Sequence, residues 1–173
     1  TTSFRTKNFN KTIEEQLALL DEFWQTDDNA EYSWAGNNEL QSKYYDFMLE
    51  KEFVKGEANN KPKDAREKTS GLVDIGLISD DRRITEAGQA LLAISRSGDF
   101  SSDNAFQIDK DSFIYFKQLL KTYNKVNGTI VRPFIVMAYV LSKLDYLSLD
   151  EYTYLLPLCT DPQNTDRIIR EIS

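Results

Sequence analysis

Between Lys63 and Leu92 the chain reads KDAREKTSGLVDIGLISDDRRITEAGQALL, and this stretch restricts the fold more than any other. Asp64 stands where a side-chain oxygen can take up the free amides of a helix start. Ala65 to Lys68 follow as a first turn, and Leu72 and Val73 begin an apolar side. Gly76 ends that helix, because a residue without Cβ enters the left-handed region at no steric cost. Leu77 and Ile78 then read as a strand start, Ser79-Asp80-Asp81 as a turn, and Arg82-Arg83-Ile84 as the returning strand. Thr85-Glu86-Ala87-Gly88 opens a second helix, with Leu91, Leu92 and Ile94 on its buried face. Helix, strand, wing, strand, helix is the order of a winged helix-turn-helix, in which the helix before the wing lies in a DNA major groove.

The flanks supply further helices. Thr12 and Glu15 have the spacing of a capping box, and Ile13, Leu17, Leu20 and Trp24 follow at helical intervals with Phe23 beside them. After a polar connector from Thr26 to Asn38, Leu40, Tyr44, Phe47 and Met48 predict a helix from Glu39 to near Phe53-Val54. Residues 57–63, with asparagines and Pro62, read as a loop. Residues 95–104, rich in Ser, Gly and Asp, read as a linker and place a subdomain boundary there. Beyond it, Asp111 begins a helix, Asn127-Gly128 is a turn, and Pro133 opens an apolar helix to Leu144. Ser148 and Glu151 form a second capping box, and Asn164 or Thr165 starts the last helix.

The expected fold is therefore mainly α. It comprises a winged helix-turn-helix with a small β-wing (1–98, with an N-terminal arm) plus a second helical subdomain (99–173).

Several chemistries are excluded. The sequence has no histidine, so Ser-His and Cys-His catalysis and His-metal sites cannot form. Gly71 and Gly76 have the spacing that opens a phosphate-binding loop, but Leu77-Ile78 stands where Lys and Ser or Thr are required. No acidic residue has a lysine two positions later, so the Asp/Glu-x-Lys pair of the commonest restriction nuclease core is missing. Asp27-Asp28, Asp80-Asp81 and Asp150-Glu151 read better as a turn, a wing tip and a helix start than as catalytic pairs. No catalytic or metal-ligating residue, and no cofactor, is therefore expected in this chain. A single cysteine, Cys159, suits a reducing compartment, and no apolar run is long enough to cross a bilayer.

The formal charge is −7, which argues against a protein that coats nucleic acid indiscriminately. Cations nevertheless gather locally. Arg5, Lys7 and Lys11 have no acid among them, and Lys51, Lys55, Lys61, Lys63, Arg66 and Lys68 cluster before and within the groove helix.

DAREKTSGLVDIGLI, its polar tip and RITEAGQALL together resemble the N-terminal recognition region of the AlwI-type restriction and nicking endonucleases. FRTKNFNKTIEEQLALLDEFW upstream resembles the opening of that family. VRPFIVMAYVLSKLDYLSLDEYTYLLPLC and NTDRIIREI downstream resemble its next segment. The resemblance implies sequence-specific binding of double-stranded DNA, in the bacterial cytoplasm, by the recognition domain of a type II enzyme. It also implies that magnesium and cleavage belong to a C-terminal nuclease domain, or a second subunit, absent from this chain. A winged-helix transcription regulator or protein-interaction module without a nuclease is the alternative, supported by the acidic total charge.

Each candidate contact has a plainer explanation. Arg66 can pair bidentately with guanine and Lys68 singly, or both belong to a solvated helix start beside Glu67. Lys61 and Lys63 are candidate phosphate contacts just ahead of them. Thr69 and Ser70 offer hydroxyls to a phosphate or base, or are ordinary helix-surface residues. Arg82 and Arg83 grip backbone or minor groove from the wing, or neutralise Asp80 and Asp81. Arg5, Lys7 and Asn8 form an arm around the duplex, or a frayed terminus. Trp24, Tyr44, Tyr45 and Phe47, at helical spacing, are core, whereas Tyr32 and Trp34 in the connector are the aromatics that packing explains least.

Overall fold

The computed structural model describes residues 9–26 and 29–173. Its contacts divide the chain between Gln118 and Leu119 into two compact units.

In the first unit, α1 (Phe9–Gln25) sets Ile13, Leu17, Leu20, Phe23 and Trp24 into the core. It starts at Phe9, so Thr12 lies inside the helix and not at its cap. α2 (Asn38–Glu50) is capped by Asn37, whose side chain accepts from the Leu40 amide at 3.0 Å, and it buries Leu40, Tyr44, Tyr45 and Met48. α3 (Lys61–Asp74) packs chiefly on α2. Its cap is Asn60, which accepts from the Lys63 amide at 3.0 Å, and not Asp64 as the sequence predicts. Pro62 stands in the first turn, where its missing N–H leaves no bond unmade, so the helix begins inside the expected 57–63 loop. α4 (Glu86–Ser97) is capped by Thr85, ends at Gly98 in the left-handed region, and packs on α1.

Between α3 and α4 the chain makes a short hairpin. Gly76 leaves α3 at φ +72°, the left-handed exit expected of it. Ile78 and Ile84 then form one antiparallel bridge, flanked by Ser79 N–H to Arg83 C=O at 2.8 Å and Thr85 N–H to Leu77 C=O at 3.1 Å. Arg82 closes the turn with an amide bond to the Ser79 carbonyl at 2.9 Å and sits at φ +61°. A three-residue loop with a left-handed closing residue is a common hairpin form, but that last position normally takes glycine or asparagine. The expected strands are thus reduced to a single bridge.

Residues 98–109 do not separate the units. Asp99 pairs with Lys110 at 2.6 Å, and α5 (Lys110–Lys121) lays Ile114 and Tyr115 against the first core. Gln118 of α5 donates to the carbonyls of Ile75 at 2.9 Å and Gly76 at 3.1 Å. The polar segment is a surface loop inside the first unit.

The second unit holds the two-stranded sheet of the described residues. β1 (Asn124–Val126) pairs antiparallel with β2 (Thr129–Val131) around Asn127 and Gly128, whose φ values are +50° and +84°. Two successive left-handed residues are what a two-residue hairpin needs. The strands are too short for alternation to announce them. α6 (Pro133–Leu144) follows, then a π-turn over Glu151–Leu155, a 3-10 turn over Leu156–Leu158, and α7 (Pro162–Ile172). The Ser148–Glu151 box forms as expected, at 2.7 and 3.3 Å, although the turn it opens is π and not α. Asp161 caps α7, two or more residues before the expected start. Val140, Cys159 and Ile168 form the small core of this unit.

Candidate nucleic-acid interface

What separates the cations around α3 is the kind of group each one meets. Lys61 pairs with Asp46 at 2.7 Å, Lys63 lies 3.7 Å from Glu67, and Lys51 pairs with Glu22. A contacting carboxylate cancels most of the field such a lysine presents. Arg66, Arg82 and Arg83 instead rest on neutral acceptors, with no carboxylate in ion-pair range among the described residues.

Arg66 Nη1 donates to Gln41 Oε1 and, at 3.4 Å, to Asn38 Oδ1. Arg82 Nε donates to Thr69 Oγ1 at 2.9 Å and its Nη1 to the Asp80 carbonyl at 2.6 Å. Burial presses the Arg82 guanidinium below its ordinary pKa; Asp80 and Asp74 pull it up, and the Arg66 charge pushes it down again. The two guanidiniums therefore feel each other across the face shared by α3 and the hairpin. An anion placed there would meet two positive charges that no carboxylate has neutralised by contact.

The hairpin is held in place from the connector. Asp81 Oδ1 accepts from Ser33 Oγ at 2.8 Å and from the amides of Trp34 and Ala35 at 2.6 and 3.3 Å. Partial burial pushes the Asp81 carboxyl up, but these donors and the Arg83 charge outweigh it and hold the group below the usual carboxylate range. Trp24 Nε1 donates to the Arg82 carbonyl at 2.8 Å, which helps fix the left-handed residue. Gly88 completes the arrangement. A Cβ built there would stand 2.2 Å from the Leu77 carbonyl oxygen and 2.7 Å from Ile84 Cγ2, so only glycine lets the hairpin lie on α4.

The sequence candidates divide accordingly. Arg66 and Arg82 come together. Lys61 and Lys63 are exposed near the start of the same helix, each beside an acid. Lys68 lines a cleft with Thr12, Glu15 and Glu22 of α1, away from Arg66. Ser70 is tied back to the Glu67 carbonyl at 2.9 Å. Thr69 is fully buried at 0 % exposure and donates to the Ala65 carbonyl at 2.8 Å, so it presents no surface and instead supports Arg82. Arg83 does not neutralise the tip by pairing with Asp80 or Asp81; its Nη2 bridges the carbonyls of Ala30 and Tyr32. Arg5, Lys7 and Asn8 lie outside the described residues. Trp34, expected to be poorly explained by packing, is 2 % exposed against Trp24 and Tyr44.

Gln41 and Asn38 are the participants that the sequence did not single out, and Asp81 was read there only as part of the turn at the tip. Gln41 left a signal: it is an uncharged polar residue between Leu40 and the buried Tyr44-Tyr45 turn, where apolar residues are the rule.

Among the described residues no group of three or more His, Cys, Asp or Glu is placed to hold a metal ion. No helix among them is long and apolar enough to cross a membrane.

A helix, a short hairpin and a second helix, with Arg66, Arg82 and Arg83 on neutral acceptors, belong to a mainly helical protein. The family model for AlwI restriction endonuclease matches residues 73–173, more than half of the chain, and this chain belongs to that family. The matched residues begin near the end of α3 and include Arg82, Arg83 and the whole second unit; Arg66 precedes them. No curated protein and no solved structure matches.

Proposed function

We propose that this chain binds double-stranded DNA sequence-specifically, as the recognition part of a type II restriction enzyme of the AlwI kind. The observation that carries the proposal is the Arg66–Arg82 pair, with both guanidiniums held by neutral groups beside α3. Family membership supports DNA as the partner.

In this account the α3–hairpin–α4 order is that of a winged helix-turn-helix, and α3 enters the major groove. Arg66 reads a base edge, and Arg82 meets the phosphate beside it. Lys61 and Lys63 add backbone contacts, as do Lys68 from the flank and the arm residues Arg5, Lys7 and Asn8; Ser70 joins them only by releasing the Glu67 carbonyl. Thr69 and Arg83 act through their neighbours, Thr69 by holding Arg82 and Arg83 by holding the hairpin. Metal and cleavage are assigned, on family membership, to a nuclease domain or second subunit outside these residues. The setting is the bacterial cytoplasm, where a restriction enzyme meets its DNA.

The test is selection from a pool of random duplexes at low and moderate salt, followed by sequencing. Enrichment of one short motif by the 173-residue chain supports the proposal. Retention without enrichment, or no retention at either salt, contradicts it.

A further inference from the structure

Gln41 is 1 % exposed and sits on α2, yet both ends of its amide are used. Its Nε2 donates to the Trp34 carbonyl at 2.8 Å, which fixes the side chain against the connector, and its Oε1 accepts from Arg66 Nη1. A buried amide with both ends bonded has one orientation, because reversing it would set donor against donor. The consequence falls on Arg66. Its guanidinium is gripped at Nη1, with Asn38 Oδ1 a weaker second acceptor at 3.4 Å, while Nε and Nη2 carry no hydrogen bond among the described residues. Those two atoms form one edge of the guanidinium and project parallel N–H groups, the fork that matches guanine O6 and N7 in the major groove.

We propose that Gln41 is the positioning residue that holds Arg66 for bidentate readout of a single guanine. This rests on the recognition function proposed above. A free arginine would lose several rotors on binding, whereas a guanidinium already held at one atom by a buried group loses fewer. The acceptor that Gln41 supplies is neutral, so it orients Arg66 without cancelling its charge, as an ion pair would.

The test repeats the duplex selection with Arg66→Ala and Gln41→Met, the second of similar length but without the amide. Wild type is expected to require guanine at one position of its motif. Both variants should lose roughly 5- to 150-fold in discrimination at that same position, the range set by a bidentate arginine–guanine pair, while preference at the other positions persists. Gln41→Glu, which restores an acceptor for Arg66, should recover part of that discrimination. If Arg66→Ala loses the guanine and Gln41→Met keeps it, Gln41 does not position Arg66. If Gln41→Met weakens binding equally at all positions and lowers the melting temperature, its role is structural and the proposal is overturned. If wild type selects no motif, the recognition function fails first, and this inference falls with it.

Discussion

The Arg83 guanidinium stands 3.6 Å from the centroid of the Trp24 ring, and its Nη2 donates to the Ala30 and Tyr32 carbonyls at 2.7 and 3.0 Å. One side chain thereby ties the hairpin to α1 and to the connector. Arg83→Ala should lower stability by about 1–2 kcal/mol, from the lost stacking and two charged hydrogen bonds. Arg83→Lys should recover little, because an ammonium neither stacks flat nor forks. Denaturant unfolding of the three proteins checks this, and wild-type stability in Arg83→Ala would show that the contact contributes nothing.

Asp81 makes the complementary tie, and its stabilisation depends on charge. The carboxyl is held below its ordinary value, so its contribution is complete above the unfolded value of about 3.9 and is lost as pH falls through the lower folded one. Asp81→Asn should therefore be less stable than wild type at neutral pH, and the two curves should converge in acid. Thermal melts across that pH range would read parallel curves if the bonds to Ser33, Trp34 and Ala35 did not depend on ionisation.

Glu14 has the opposite sign. Burial pushes its carboxyl above the ordinary range; a bond from Ser95 pulls it down, and the Asp111 charge raises it further. One oxygen of Glu14 and one of Asp111, a residue 6 % exposed, are buried without a hydrogen-bond partner among the described residues. A raised folded value means that this stabilisation is present below the unfolded value of about 4.3 and lost as pH rises through the folded one. Glu14→Gln, which mimics the protonated form, should raise the melting temperature at neutral pH and leave it unchanged near pH 4. A lower melting temperature at neutral pH would contradict this.

Gly88 is the position where the smallest substitution should cost most. Its Cβ would overlap the Leu77 carbonyl oxygen, which is backbone and cannot rotate away. Gly88→Ala should cost about 1–3 kcal/mol or more, despite alanine's higher helix propensity. A neutral or stabilising effect in unfolding experiments would mean that the hairpin does not lie so close to α4.

The helices were legible in the sequence because each has a periodic apolar side, and Gly76 and Thr85 marked a real exit and a real start. Helix starts were less legible at Asp64 and Thr12. Nearby Asn60 caps α3 equally well, and α1 simply continues back to Phe9. The boundary expected at 95–104 followed local composition, whereas the contacts that hold α5 to the first unit run from Tyr115 and Gln118 to residues far away in sequence. The candidate site shows the same division. Arg66 and Arg82 were visible as cations in a helix–wing pattern. Pairing of Arg82 with a buried Thr69, and of Arg66 with Gln41, depends on how α2, α3 and the hairpin pack, which no local pattern encodes.

The most direct measurement is the affinity of wild type and Arg66→Ala for the selected duplex and a scrambled one, across a salt series. The account predicts that wild type prefers the selected duplex and that Arg66→Ala loses roughly 5- to 150-fold of that preference. It also predicts that affinity for both duplexes falls with rising salt. Equal affinity of wild type for the two duplexes at every salt, or an Arg66→Ala protein that discriminates as wild type does, would contradict it.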